Sequence, residues 1–393
     1  MQQNQLGGQR RNLLETGREG LFLAVFLVLP PIGLIAGPSY APLLFGLAGL
    51  SVLLLAAERR LPPIDRPVGL IALLFLAVCA AGLSGSILPA LSRARLGQMA
   101  GISVGCLLLL PLSLSPDRMR RLIRLMFWTT VIGLVIFGLD TLADYPLQHV
   151  LGGPAGNIGT KYNRGLISLV LLMWPMIAHL RASGARHKAW LLAVLVTLAC
   201  LAGLSATGVA ALAAGMVVWL IASRAPRLAG IGLGAGTAAI ALSLPLWMRF
   251  ASGQRMHLTG LIKWTGIHRL EIWDYMSARI LERPLAGWGL GAAVGVPVRP
   301  EELATYIYAD GAGIYPHNQW IELWVETGLP GVALALALVL LVLSRLRGRW
   351  RPYALAAIAS ALTASMLNFE ITTDSWWAAL AGSALLFRRL PED

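Results

Sequence analysis

Apolar residues recur along this chain in unbroken runs of membrane-crossing length, separated by short polar stretches carrying Gly, Pro and Arg. The runs are continuous and do not alternate with a period of two, so the pattern predicts helices and argues against a barrel. Twelve spans are expected, at 20–36, 41–57, 67–83, 98–114, 122–139, 165–180, 189–204, 206–222, 228–247, 329–344, 352–368 and 374–387. Several fall short of the ~20 residues that a straight crossing prefers. The first starts near Leu21 and continues past Pro30 and Pro31 with no small-residue cleavage site behind it, so it reads as a retained span and not a removed signal peptide. Leu204 to Gly208 supplies the tight reversal that divides 189–204 from 206–222.

Charge placement orients these spans. With the N-terminus inside, the inner segments collect Arg10, Arg11 and Arg18, then Arg59, Arg60 and Arg66, and then Arg118, Arg120, Arg121 and Arg124. Further along they collect Arg181, Arg186 and Lys188, then Arg224 and Arg227, Arg345, Arg347, Arg349 and Arg351, and finally Arg388 and Arg389. The short outer turns around Pro38, Ser205 and Phe369 hold no basic residue. This is the positive-inside pattern, with both termini cytoplasmic. Composition agrees: of 393 residues 57% are hydrophobic and 13% charged, too few charges to clothe a soluble domain. The net charge of +13 is dispersed between apolar runs and forms no single patch, which excludes a nucleic-acid reading. Cys79, Cys106 and Cys200 fall in apolar runs and read as small buried hydrophobes, with no disulfide framework and no metal-ligand spacing. The chain is expected to form one integral membrane domain, 1–393, with a large outer loop at 248–328.

That loop carries Arg249, Arg255, Lys263, Arg269, Arg279, Arg283 and Arg299, while Arg93, Arg95, Lys161 and Arg164 lie in other outer segments. Either an anionic ligand uses this charge, or a long translocated loop simply escapes the orientation rule. Within it, Thr265 is placed to cap an amphipathic helix that Pro284 ends. Ile267, Leu270, Trp273, Met276 and Ile280 are its apolar positions, and His268, Arg269, Glu271 and Asp274 its polar ones. Such a helix suits a membrane surface, and Trp264, Trp273 and Trp288 suit the interface. Pro284 through Gly291 reads either as a flexible turn or as a loop whose backbone N–H groups approach a phosphate. Next, Pro316 or His317 starts a helix that Gly328 and Pro330 stop. There the helix dipole disfavours imidazolium, leaving His317 neutral and able to accept a proton; the alternative is a histidine bonded to a neighbouring loop. Trp320, Leu323 and Trp324 read as packing, His179 and His187 as solvated residues at an inner boundary, and His149 and His257 have no interpretable context. No HExxH, clustered Cys/His ligand set, P-loop or dinucleotide fingerprint occurs, so neither metal chemistry nor ATP-driven transport is expected.

Three pieces together resemble the shared region of the bacterial O-antigen ligase and polymerase superfamily, over about 190–345. They are His268 to Trp273, Pro284 to Gly291, and His317-Asn318 continuing through Glu326, Thr327, Gly328, Leu329, Pro330 and Gly331. The resemblance implies an all-α fold of the GT-C-like membrane glycosyltransferase type. It implies transfer of O-antigen polysaccharide from undecaprenyl diphosphate to a sugar hydroxyl of lipid A–core at the periplasmic face of the bacterial inner membrane. No metal or other cofactor is implied, and the anomeric carbon is inverted. His317 matches the family's essential loop histidine, a general base, and Arg269 its loop arginine. Arg164, in Lys161-Tyr162-Asn163-Arg164-Gly165, matches an arginine at the outer end of a middle span. Arg164, Arg269 and Lys161 would then hold the diphosphate, with His268, Asn318 and Glu326 as further candidates. O-antigen polymerase and protein O-glycosyltransferase remain open within the superfamily, as does oligomeric state. A lipid or polysaccharide transporter is the reading from another class; most spans lack charge and no paired halves are evident, which argues against it.

Overall fold

The structure is a computed structural model that describes residues 2–59, 62–112, 114–151, 162–254, 257, 264–307 and 315–388, with side chains from residue 16 onward. Its regular elements are helical and no strand occurs among the described residues. In chain order they are α1 (Gln2–Ile35), α2 (Tyr40–Ala57), α3 (Arg66–Ala81), α4 (Pro89–Leu109) and α5 (Pro116–Leu142). The short α6 (Pro146–Val150) precedes α7 (Tyr162–Ala182), α8 (Arg186–Ala202), α9 (Ala206–Arg224) and α10 (Pro226–Gly253). The chain ends with α11 (Trp264–Glu282), α12 (Pro300–Leu303), α13 (Gln319–Arg345), α14 (Arg351–Leu367) and α15 (Asp374–Phe387).

Each of the twelve expected spans falls on one of these helices, but eight of them are long and apolar enough to cross a membrane by themselves: α1, α2, α3, α5, α7, α9, α10 and α13. The rest depart for visible reasons. The 14 residues of α15 rise only about 21 Å against a hydrocarbon core of ~30 Å. The 17-residue helices α8 and α14 are little longer, and α4 carries Arg93, Arg95 and Gln98 in its first half. The chain is a multi-pass membrane protein built around α7, whose residues from Gly165 to Leu180 are buried without a break. A helix apolar on every side belongs inside the bundle. Small residues let its neighbours close in: a Cβ on Gly165 would lie 2.3 Å from the Leu34 carbonyl oxygen, and one on Gly215 would lie 2.3 Å from Ser360 Oγ. Ser360 donates to the Ala211 carbonyl at 2.8 Å and accepts from Trp174 Nε1 at 3.0 Å, joining α7, α9 and α14.

The reversal expected at Leu204–Gly208 is present. Leu204 has φ +48°, and Ser205 Oγ accepts the Gly208 N–H at 3.1 Å to start α9. The hydroxyl also donates to Asn163 Oδ1, tying this turn to the first turn of α7. At the same end of the bundle, Gly37 lies against Arg164. The opposite end is closed by Arg345 with Asp65 at 2.6 Å, Arg18 with Glu58 at 3.8 Å, and Arg388 donating to the Leu110 carbonyl. His179, expected to be solvated there, is 2% exposed, and its Nε2 lies 2.8 Å from the Leu386 carbonyl. Its position on α7, enclosed by the C-terminal helix, overrides its nearness to a charge cluster.

Candidate active site

The first turn of α13 has four backbone N–H groups with no helical acceptor. Asn318 caps it: Oδ1 accepts from Trp320 N at 3.0 Å and Ile321 N at 3.1 Å. The helix therefore starts at Gln319, and His317 stands just before the cap, not inside the helix as the sequence suggested. His317 has φ +51°, a left-handed conformation that costs a non-glycine residue about 1–3 kcal/mol. Neighbouring segments hold it there. Trp273 Nε1 donates to the Pro316 carbonyl at 2.6 Å, and Tyr315 Oη donates to the Asn368 carbonyl at 3.4 Å. The His317 ring meets the Tyr315 ring edge-on, with centroids 4.8 Å apart. Its Nδ1 is shielded and has no hydrogen-bond partner among the described residues.

Three side chains from two helices act on this ring. Burial lowers the His317 pKa most, and Arg269, His268 and Arg164 lower it further by charge, to about 4 from the ordinary 6.5. His317 is thus neutral at physiological pH. Arg269, on α11, donates from Nη1 to the Leu367 carbonyl at 3.1 Å, and burial pulls its pKa below the ordinary value. A guanidinium keeps its proton in proteins, so that shift reports how poorly its charge is solvated. Arg164 projects from the first turn of α7 and is exposed. The structure therefore gathers His317, Arg269, His268 and Arg164 at one end of the bundle. Lys161 lies outside the described residues.

Pro284 to Gly291 serves neither of its expected purposes. Trp288 N donates to the Val325 carbonyl at 2.7 Å and Gly289 N to the Glu326 carbonyl at 3.1 Å, so both are spent on α13. Gly287 N donates to Arg283 O at 3.0 Å. The Glu326 carboxylate takes Ala293 N at 3.3 Å and also the Gly291 N–H. These donors face protein acceptors, which removes them from a phosphate. Glu326 is buried and acts as the clasp for this loop. The segment instead packs on a break in α13, where Gly328 adopts φ +62°, ψ −162° and a Cβ would lie 2.6 Å from the Leu285 carbonyl. The stop expected at Gly328 and Pro330 is that break, after which the apolar half of α13 continues to Arg345.

The amphipathic reading of α11 also changes. Trp264, ahead of the expected cap Thr265, is already helical. Glu271, expected on a polar face, is 0% exposed and accepts the Ile307 N–H at 2.7 Å, while Asp274 accepts from Tyr306 Oη at 3.0 Å. Trp273 bonds Pro316 and Trp288 is buried, so neither is an interfacial anchor. Local spacing carries no sign of the remote partners that cover these residues. The basic residues of this region separate in the same way. Arg279 is buried with Glu302 at 2.8 Å and Glu282 at 3.2 Å, Arg299 pairs with Glu282 at 2.6 Å, and Arg283 stacks on Trp288 at 4.0 Å. Sequence reasoning gave no weight to Arg95, Tyr315 or Glu370. Arg95 donates to Thr372 Oγ1 at 2.9 Å and pairs with Glu370 at 3.4 Å. Gln319 Nε2 donates to the Glu370 carbonyl at 2.8 Å, so this polar group adjoins the start of α13. Arg95 was visible only as a charge on the disfavoured side.

Residues 191–336 match the family model described as O-antigen ligase. That stretch includes Arg269, His317 and Glu326 but not Arg164. Relatives that carry the provisional name polysaccharide ligase come from Rickettsia species. The Rickettsia conorii protein is 24% identical over 132 residues, 31% of each chain. The Rickettsia bellii protein is 26% identical over 129 residues, again 31% of each. The Rickettsia felis protein is 24% identical over 246 residues, 58% of each. In each case the match spans less than two thirds of the relative's own length. The chain is thus a multi-pass membrane protein whose residues 191–336 are similar to the O-antigen ligase family model.

Proposed function

We propose that this protein is an O-antigen ligase, transferring polysaccharide from undecaprenyl diphosphate to a sugar hydroxyl of lipid A–core. In this reading the chain crosses the inner membrane twelve times with both termini in the cytoplasm. The 248–328 segment faces the periplasm. The observation that carries the proposal is the neutral His317 within the field of the poorly solvated cation Arg269, to which Arg164 adds. Each has work in a displacement at the anomeric carbon. The acceptor oxygen attacks that carbon, the bond to the lipid diphosphate breaks, and His317 takes the hydroxyl proton as attack proceeds. Arg269 and Arg164 stabilise the charge that grows on the departing diphosphate, a part that Lys161 shares. This needs no metal, and direct attack inverts the anomeric centre.

The test is transfer by the purified protein from lipid-linked glycan to lipid A–core. His317→Ala is expected to lower the rate about 10²–10⁴-fold, the range for a positioned general base, with donor binding kept. Full activity in that variant would remove the base from the mechanism. Loss of the gene should leave free lipid-linked polymer; single repeat units on lipid A–core would instead identify a polymerase. A purified protein that moves glycan yet forms no glycosidic bond would be a transporter.

A further inference from the structure

At the end of the bundle opposite His317, two adjoining cavities share Arg181, Trp219 and Tyr353. One, of about 400 Å³, is also lined by Arg224 and Arg349 and by no acidic residue. It brings together cations from the C-terminal ends of α7 and α9 and from the turn before α14. The other is a narrow, nearly wholly apolar cleft of about 50 Å³ between α7, α8 and α9, which Met173, Trp190 and Met216 help to line. Trp190 is 56% and Met216 36% exposed, so the cleft reaches the lipid-facing surface. Arg181 has no ion-pair partner among the described residues, and Arg224 donates only to the Leu220 carbonyl of its own helix, at 3.4 Å. The indole N–H of Trp219, between the two spaces, is shielded and lacks an acceptor among the described residues. Orienting a helix in a membrane requires basic residues near this boundary but does not require them to converge on one cavity.

We propose that this paired site binds one anionic phospholipid, with its phosphate among Arg181, Arg224 and Arg349 and one acyl chain lying along the lipid-facing mouth of the apolar cleft. Guanidinium forks suit a phosphate monoanion, and the exposed apolar rim at Trp190 and Met216 suits an acyl chain. Arg164 and Arg181 lie at opposite ends of α7, about 25 Å apart at 1.5 Å per residue, so this site is separate from the one around His317.

The full-length protein, delipidated in a non-ionic detergent, is titrated with dioleoylphosphatidylglycerol, dioleoylphosphatidylcholine or inorganic phosphate. Thermal unfolding gives the affinity and native mass spectrometry counts the retained lipids. Phosphatidylglycerol is expected to raise Tm and remain as one bound lipid, with no effect from phosphatidylcholine or phosphate. Losing two charge-assisted contacts at about tenfold each, Arg181→Gln/Arg224→Gln should weaken binding about a hundredfold. Arg227→Gln removes an exposed charge from the same end, outside the cavity, and should leave binding unchanged. Equal losses in the two variants, equal binding of phosphatidylcholine, or displacement of the lipid by phosphate would each overturn the proposal. Should the double variant not fold, Met216→Trp, which fills the cleft from an exposed position, is expected to abolish retention of the lipid. Retention at the wild-type level would overturn the proposal.

Discussion

Replacing Arg269 with Gln should move the acid limb of the transfer reaction to higher pH. A general base works only when neutral, so the rate falls as His317 gains its proton. With a pKa of about 4, His317 remains about 97% neutral near pH 5.5, and the wild-type rate should be nearly flat from there to pH 8. At the ordinary value of 6.5 only about 10% would be neutral near pH 5.5, a tenfold loss. Burial is the largest cause of the depression and remains in the variant, whereas Arg269, the next largest, is gone. Its limb should therefore move up by at most half of the total depression, which keeps its pH 5.5 rate within about twofold of its own pH 8 rate but below the wild-type ratio. In the proposed reaction Arg269→Gln would also lose a diphosphate contact, which lowers the rate at every pH by about 10²–10³-fold. The informative quantity is thus the pH 5.5 to pH 8 ratio within each protein, measured as glycan transferred to lipid A–core on a gel. A wild-type limb near 6.5, or an Arg269→Gln limb at or below the wild-type one, would refute the base assignment.

The same depression affects folding. His317 is held neutral in the folded state, so its contribution to stability is fully present above pH 6.5 and is lost as pH falls through about 4. The difference in Tm between wild type and His317→Gln should therefore shift against the wild type across that window; parallel curves would contradict it. Gly328→Ala should destabilise the protein by about 1–3 kcal/mol from backbone strain alone, with more from the Leu285 carbonyl that its Cβ would meet at 2.6 Å. Gly236→Ala, with nothing within 4 Å of the added carbon, is the control. Equal Tm values for the two would show that the break in α13 is not constrained.

The parts of this structure that the sequence made legible are those set by local pattern. Continuous apolar runs placed the spans on helices, and Leu204–Gly208 marked a real reversal because a positive-φ residue and a capping serine are local features. Gly328 and Pro330 marked the break in α13 for the same reason. What failed depended on partners remote in the chain. Glu271 looked like a surface acid until Ile307 met it, and His179 looked solvated until Leu386 enclosed it. The glycines at 287–291 suggested phosphate until their N–H groups were matched with the Arg283 and Glu326 carbonyls and the Glu326 carboxylate. Spacing could bring neither Arg269 nor Arg164 to His317, since α7, α11 and the start of α13 are separate stretches of chain; only the family resemblance joined them.

The broken helix explains why the motif around His317 contains so many residues without chemistry of their own. A helix interrupted at Gly328 leaves its last carbonyls without helical donors, and burial in the protein shuts them off from water. Trp288 and Gly289 supply the missing N–H groups to Val325 and Glu326, and Leu329 N returns one to the Pro284 carbonyl at 2.8 Å. The Glu326 carboxylate then fixes the far end of the same loop through Ala293. Asn318 closes the other terminus of the short segment 319–327. Both ends of that segment thereby find partners, and the apolar half beyond the break is free to cross the membrane. His317, adjoining the capped end, takes its depth and its left-handed backbone from this arrangement. Residues such as Glu326, Gly328 and Gly289 thus serve the site by holding His317 at a fixed distance from the span, a requirement on backbone hydrogen bonds more than on side-chain reactivity.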